Sequence, residues 1–383
     1  MGIGSNCLNT FDENDVHLSE RNAMKITLFI GSLYGGGAER VTCNLASYLV
    51  QHGHQVEILT MSETEKAYEL DKRVSVRTLL SIKERKNTVR NTLVRMPRFW
   101  RYLKVSDTDA YIVMLPKTTI MLLMFRWLTK AKVIAAERVD PASYSERIAK
   151  MLKKYAKRAD GWVFQTGDAQ KWYGDSIKDS KSTVIPNAVN PAFIRPQYEG
   201  KKRKIIAGAG RLDVQKNFGL LIRAFAKIAP EFPEYNLIIY GKGNEEQELK
   251  SLVESLGLQG RIEFPGNIQN IAEEMERNTM FVLSSDFEGM PNALMEAMAL
   301  GLPCISTDCP CGGPRYLIKD GVNGLLVPVA DADKMAEAMR KILSDSNLAE
   351  SIGKEAMKIA EELAPDKIYG QWERLVSSIV NGR

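Results

Sequence analysis

Two glutamates, Glu288 and Glu296, bracket the run Phe287-Glu288-Gly289-Met290-Pro291-Asn292-Ala293-Leu294-Met295-Glu296. Pro291 suits the first turn of a helix, where free backbone N–H groups can bind a phosphate or a sugar hydroxyl. Glu288 then falls in the loop before that helix and Glu296 inside it, facing the same cleft. A carboxylate accepting two hydrogen bonds is the natural partner of a ribose cis-diol. An acid near a helix start also favours the dipole without any ligand, which would account for Glu288. It does not account for Glu296, set between Met295 and Ala297 on a largely apolar helix, where an isolated carboxylate is expensive to bury.

Two other runs carry chemistry. In Gly210-Arg211-Leu212-Asp213-Val214-Gln215-Lys216-Asn217, Arg211 offers a planar fork for phosphate oxygens and Lys216 a mobile point charge. Two cations at a strand end suit a diphosphate whose leaving charge must be neutralised; the bland alternative is a solvated surface pair. In Gly31-Ser32-Leu33-Tyr34-Gly35-Gly36-Gly37-Ala38-Glu39-Arg40, glycines between a strand and a helix let backbone approach an anion. A tight turn without ligand remains open there. The run is not GxGxxG, and no acid follows the second strand to hold a ribose, which disfavours a nicotinamide dinucleotide.

The elements that must position these runs are short, apolar and β-branched strands alternating with helices. Ile26–Ile30, 55–60, 110–115, 132–136 and 161–165 read as buried strands, with helices at 39–52 and 145–158. After a Pro- and Lys-rich linker at 191–203, strands recur at 204–209, 236–240, 261–264, 280–284, 303–306 and 324–327. Helices are expected at 218–228, 245–256, 291–300 and 332–344. The pattern predicts an α/β chain of two Rossmann-like, doubly wound parallel sheets facing across a cleft, spanning 24–190 and 204–367. A last amphipathic helix, about 365–379, is a candidate to pack back on the first unit. Residues 1–23 read as a disordered extension, and Met24 as a candidate initiator.

Composition bounds the rest. The 44% hydrophobic and 26% charged content is that of a globular protein. Five scattered cysteines and no signal peptide point to a reducing cytoplasm, and Cys309-Pro-Cys311 is too tight for a zinc knuckle. Thr118–Leu128 reads as a buried helix rather than a span, because Arg126 interrupts it. Residues 1–187 hold 29 Lys and Arg against 20 Asp and Glu, while the remainder holds 23 against 27. The basic half concentrates Arg95, Arg98 and Arg101 among Leu93, Phe99 and Trp100, a pattern suited to an anionic membrane surface. A second basic stretch runs from Arg147 to Arg158. Simply soluble basic helices are the other reading, and nothing supports nucleic acid.

With these residues in view, the chain from Met24 onward resembles family 4 glycosyltransferases of the GT-B fold, many of which build bacterial polysaccharides and lipid-linked oligosaccharides. The resemblance rests on Gly35-Gly36-Gly37-Ala38-Glu39-Arg40, on Gly210-Arg211-Leu212 with Lys216, on Glu288 and Glu296, and on Gly312-Gly313-Pro314 followed by Asp320–Val327. It implies a retaining, metal-independent transfer of a hexose or N-acetylhexosamine from a nucleotide-diphosphate sugar, UDP by preference. Arg211 and Lys216 would hold the diphosphate, Glu296 the ribose, and Glu288 with the backbone of Gly289, Met290, Pro291 and Asn292 the sugar. Gly35 and Gly36 would close over the phosphates. The acceptor implied is a glycan or a polyprenyl-diphosphate-linked sugar, met by a peripheral protein at the inner face of the cytoplasmic membrane. No cofactor or metal is expected: the chain has no suitably placed Asp-x-Asp, and His17, His52 and His54 form no cluster.

One segment departs from the family. Arg138 follows Glu137 where many relatives carry a histidine near the reacting sugar. Three readings stand: Arg138 stabilises negative charge with Glu137 orienting it, Arg138 binds an anionic acceptor, or the site is impaired. The competing functions are accordingly a sugar-nucleotide epimerase or hydrolase of the same fold, and a non-catalytic donor-binding partner subunit.

Overall fold

The computed structural model describes residues 23–65 and 68–382, so the expected disordered extension lies, except for Ala23, outside the described residues. The first sheet is built from β1 (Lys25–Ile30), β2 (Gln55–Thr60), β3 (Ser75–Thr78), β4 (Ala110–Met114), β5 (Lys132–Ala136), β6 (Gly161–Phe164) and β7 (Ser182–Val184). Its helices are α1 (Gly37–Gln51), α2 (Thr88–Val105), α3 (Pro116–Met124), α4 (Glu146–Tyr155) and α5 (Gly167–Tyr173). The second sheet holds β8 (Arg203–Ala209), β9 (Asn236–Tyr240), β10 (Ile262–Gly266), β11 (Asn278–Leu283), β12 (Cys304–Thr307) and β13 (Leu325–Val327). Around it lie α6 (Phe218–Ile228), α7 (Glu246–Ser255), α8 (Ile271–Glu276), α9 (Asn292–Ala299) and α10 (Gly313–Leu317). They are followed by α11 (Ala332–Ser344), α12 (Ser346–Ala356), α13 (Ile359–Glu362) and α14 (Pro365–Asn381).

Every strand pair is parallel. The sheet orders are β3-β2-β1-β4-β5-β6-β7 and β10-β9-β8-β11-β12-β13. Each is therefore wound outward from a central pair, β1 with β4 and β8 with β11. The crevice beyond the carboxyl ends of such a pair is where doubly wound sheets bind ligands. The glycine loop follows β1, the Arg211–Lys216 loop follows β8, and the Glu288 turn follows β11. All three chemistry-bearing runs thus sit at the two switch points.

The central strands were legible because helices cover both faces and leave unbroken apolar runs. β3 and β7 were not expected. Both are short, half-exposed edge strands of polar and apolar residues, and so carry little sequence signal. The expected 118–128 helix is α3, ending at Met124, with a separate turn at Arg126–Leu128.

One face of the first sheet packs α2, α3, α4 and α5 around Phe29, Phe99, Tyr111 and Trp162. The other face shares one apolar core with α1 and α14, and that core runs on into α9 and β11 of the second sheet. Helix α14 returns to the first sheet: Tyr369 lies against Tyr48, His54 Nε2 is 3.2 Å from Glu373 Oε1, and Ile379 fills the space beside Gly161. Trp372, fully buried in that shared core, is its largest contributor from α14. Trp372→Ala should lower unfolding free energy by about 3–5 kcal/mol, read from urea denaturation.

Candidate active site

Loop chemistry fixes the site from below. Asp213 Oδ1 accepts from the Lys216 amide, closing a short turn. Asn217 then adopts a left-handed conformation (φ +41°) and caps α6 by accepting from Leu220 N at 3.1 Å. Its amide donates to Asp286 Oδ1 at 2.9 Å, and Ser284 Oγ donates to Lys216 O at 2.8 Å. The loops after β8 and β11 are thereby stitched together. The Glu288 turn is held in turn by Cys311 N, which donates to Glu288 O at 2.7 Å. A Cβ on Gly313 would stand 2.1 Å from Gly289 O, so only glycine permits this approach.

Both glutamates are buried beside cations. Lys216 Nζ is 2.5 Å from Glu288 Oε1, which also accepts from Ser285 Oγ at 2.7 Å, while Gln215 Nε2 donates to Oε2 at 3.3 Å. Glu296 faces Arg40 of α1, with Arg40 Nη2 2.6 Å from Glu296 Oε1. Burial pushes the Glu296 carboxyl above its ordinary value, and the charges of Arg40 and then Lys216 pull it partly back. Arg211 is exposed and pairs loosely with Asp213 at 3.3 Å. Its charge reaches Glu39 of the opposite loop, offsetting part of the upward push that burial exerts on that carboxyl. Gly35 has φ +33°, and the Glu39 carboxylate folds back against Gly36. Gly37 meets Asn292 Nδ2 of the other domain.

Between the sheets runs a buried polar chain. Arg138 Nη1 and Gln165 Nε2 both donate to Asn187 Oδ1, at 3.2 and 2.8 Å, and Asn187 Nδ2 donates to Asn292 Oδ1 at 2.9 Å. The guanidinium lies 5.1 Å over the Trp372 ring, and burial lowers Arg138 to about 10.

The structure corrects two expectations. Glu137 makes no hydrogen bond to the Arg138 guanidinium: Oε1 accepts from Tyr144 OH and the amides of Arg138 and Val139, and Oε2 from Tyr173 OH at 2.7 Å. It ties down the loop after β5. In the expected membrane cluster, Arg98 is committed to Glu84 through two bonds of 2.6 and 2.8 Å, and half-buried Arg95 donates to Asn91 O. Arg101 is exposed, beside Trp100 at 41% and near Trp127 at 68% exposure. Arg40, Asn187, Gln165, Gln215 and Ser285 were not assigned roles from sequence. For Arg40 and Gln215 a signal existed, since Arg40 ends the glycine run and Gln215 lies within the Gly210–Asn217 run. Among the described residues no group of three or more His, Cys, Asp or Glu is gathered for a metal ion.

Two facing, doubly wound sheets thus place carboxylates and cations at both switch points. Residues 35–193 match the family described as Glycosyltransferase Family 4, and residues 190–359 that of Glycosyl transferases group 1. The chain belongs to the family 4 glycosyltransferases. It is 28% identical to an undecaprenol-linked α-1,4-N-acetyl-D-galactosaminyltransferase of Campylobacter jejuni, over 94% of this chain and 99% of that protein. It is 29% identical to an exopolysaccharide phosphotransferase of Streptomyces coelicolor over 94% of this chain, which spans only 41% of that protein's length. Anabaena HepE, solved with UDP and glucose, superposes with a TM-score of 0.80 at 17% identity, covering 93% of this chain and 100% of that one, and shares the fold.

A ribose diol donates to a carboxylate, so Glu296 must be ionised to receive it. With its pKa raised, nucleotide binding should weaken as pH falls through a midpoint above that of an ordinary glutamate. Arg40→Ala removes a cation that lowers this pKa, so the midpoint should move to higher pH. Titration calorimetry with UDP across pH 5–8 checks it; an unmoved midpoint would detach Arg40 from Glu296.

Proposed function

We propose that this protein transfers a hexose or N-acetylhexosamine from a UDP-sugar to a glycan or polyprenyl-diphosphate-linked sugar, retaining anomeric configuration and using no metal. The observation that carries the proposal is the pair of buried carboxylates, Glu288 beside Lys216 and Glu296 beside Arg40, bracketing the Gly289–Asn292 turn at a switch point. Glu296 takes the ribose hydroxyls. Glu288 and the turn amides take the sugar, and Arg211 with Lys216 takes the diphosphate. As the bond from the sugar C1 to the β-phosphate oxygen breaks, charge builds on that phosphate, and both cations stabilise it. The same phosphate accepts the proton of the acceptor hydroxyl as that oxygen bonds to C1 from the same face. The acceptor class is supported by the undecaprenol-linked chemistry named for the Campylobacter relative, and UDP by the ligand of the Anabaena neighbour.

The test is thermal unfolding with UDP, GDP, ADP and NAD. At about a hundred times its dissociation constant, UDP should stabilise the protein by about 2.7 kcal/mol. Glu296→Ala should weaken that binding by about 1.5–3 kcal/mol, the worth of charge-assisted bonds. A shift with NAD alone, or with no diphosphate, would overturn the reading.

The protein acts from the cytoplasmic side, peripheral to an anionic bilayer. Among the described residues no helix is long and apolar enough to cross a membrane. Exposed Trp100 and Trp127 with Arg101 and Lys104 on the α2 face support surface contact, each basic residue near lipid contributing about 1 kcal/mol. Arg101→Glu with Trp127→Ser should lower retention on phosphatidylserine vesicles, whereas Arg98→Glu would also break the Glu84 pair. Unchanged sedimentation of the double variant removes the membrane from the proposal.

A further inference from the structure

Arg138 holds an unusual position for a cation. It is 7% exposed, and only Nη1 is bonded, to Asn187. Its Nε and Nη2 atoms are buried and without a hydrogen-bond partner. Those two N–H groups lie on one edge of the guanidinium and form its side-on fork, the shape that grips two oxygens of a carboxylate or phosphate. The adjacent carboxylate favours the guanidinium through its charge but gives the fork no hydrogen bond, because Glu137 accepts from two tyrosines and two amides. A stack on Trp372 offsets part of the burial but engages the face of the group and leaves the fork open. A buried charge left this way is costly unless an anion meets it during the working cycle.

The surroundings say where that anion comes from. A Cβ on Gly289 would stand 2.5 Å from Gln165 Oε1 and 3.0 Å from Arg138 O, so the donor-sugar turn lies directly against this segment. Gln165 Oε1 is itself buried and without a partner, ready to accept from a hydroxyl. Asn187 joins Arg138 and Gln165 to Asn292, the first residue of α9.

We propose that Arg138 is a specificity-determining residue whose side-on fork receives a substrate oxyanion, with Gln165 accepting a neighbouring sugar hydroxyl. The oxyanion is foremost the carboxylate of a uronic-acid donor, because the turn that abuts Arg138 is the one assigned above to the donor sugar. The inference rests on that assignment. A phosphate of the acceptor has the same chemistry and is the other source. Either reaches the fork as the domains part, when the Asn187–Asn292 and Arg40–Glu296 contacts open.

The experiment measures, on the full chain, binding of UDP-glucuronic and UDP-galacturonic acid against UDP-glucose and UDP-galactose by calorimetry. In parallel, transfer is measured to a glycan bearing a polyprenyl diphosphate and to the same glycan without it. The wild type should prefer the uronate donors, and Arg138→Gln should reduce that preference ratio by about thirtyfold, with Arg138→Lys in between. No uronate preference, but a KM advantage of the diphosphate acceptor that Arg138→Gln abolishes, assigns the oxyanion to the acceptor and also supports the proposal. If Arg138→Gln changes charged and neutral substrates equally, Arg138 is a latch between domains and the proposal fails. Should Arg138→Gln not fold, the wild type decides alone: indifference to both charged partners overturns the inference. UDP binding separates the two levels, since loss of UDP binding refutes the donor site itself, whereas UDP binding without charge preference refutes only the role of Arg138.

Discussion

The carboxylate of Glu296 is buried on the apolar helix α9, and the cation beside it comes from the other domain. Arg40 stands in the first turns of α1, directly after the glycine loop, and Glu296 is the fifth residue of α9. The pair therefore fixes the distance between the two switch points. Near the pair, a Cβ on Gly37 would stand 3.0 Å from Asn292 Nδ2, and Asn187 Nδ2 bridges the sheets by donating to Asn292 Oδ1 at 2.9 Å. The arrangement also sets a competition. A ribose diol placed at Glu296, as proposed, would have to share the carboxylate with Arg40 or displace it.

The same economy governs Glu288. Lys216 neutralises it here, yet a leaving diphosphate would ask for the same ammonium. A lysine suits the exchange better than an arginine, because its charge sits on a flexible stem that can turn between two oxygens. Arg211, exposed and weakly paired, is already turned to the solvent side of the cleft. The two cations thus differ in readiness, one free to meet a ligand and one released only when a sugar or phosphate replaces its partner.

Much of this was readable from residue types and spacing. The central strands declared themselves through unbroken apolar runs, and Glu296 through its expense on an apolar helix. Lys216, Arg211, Glu288 and Glu296 come together at one sheet edge because their loops follow adjacent central strands, which the alternation of elements already implied. What could not be read were partnerships between distant segments. Nothing in the local pattern pairs Arg40 with Glu296, or draws Asn187 between Gln165 and Asn292. Arg98 is a surface charge whose partner Glu84 lies in a separate turn, fourteen positions earlier, so their pairing is invisible in the local pattern. Glu137 and Arg138 are neighbours in sequence but their side chains share no hydrogen bond, because Tyr144 and Tyr173 reach the carboxylate from later elements.

The return of α14 to the first sheet bears on how the molecule is made. A chain emerging from the ribosome completes the seven strands of the first sheet once residue 184 has appeared, yet the face that α14 covers stays bare until residues 365–381 follow. During that interval the nascent first domain exposes the apolar surface that Trp372 will later cover, while the second domain forms beside it. Emergence of α14, rather than completion of either sheet, is the point at which that face is covered. Synthesis that stalls before α14 would therefore leave a sticky, chaperone-seeking intermediate even though both sheets are already paired.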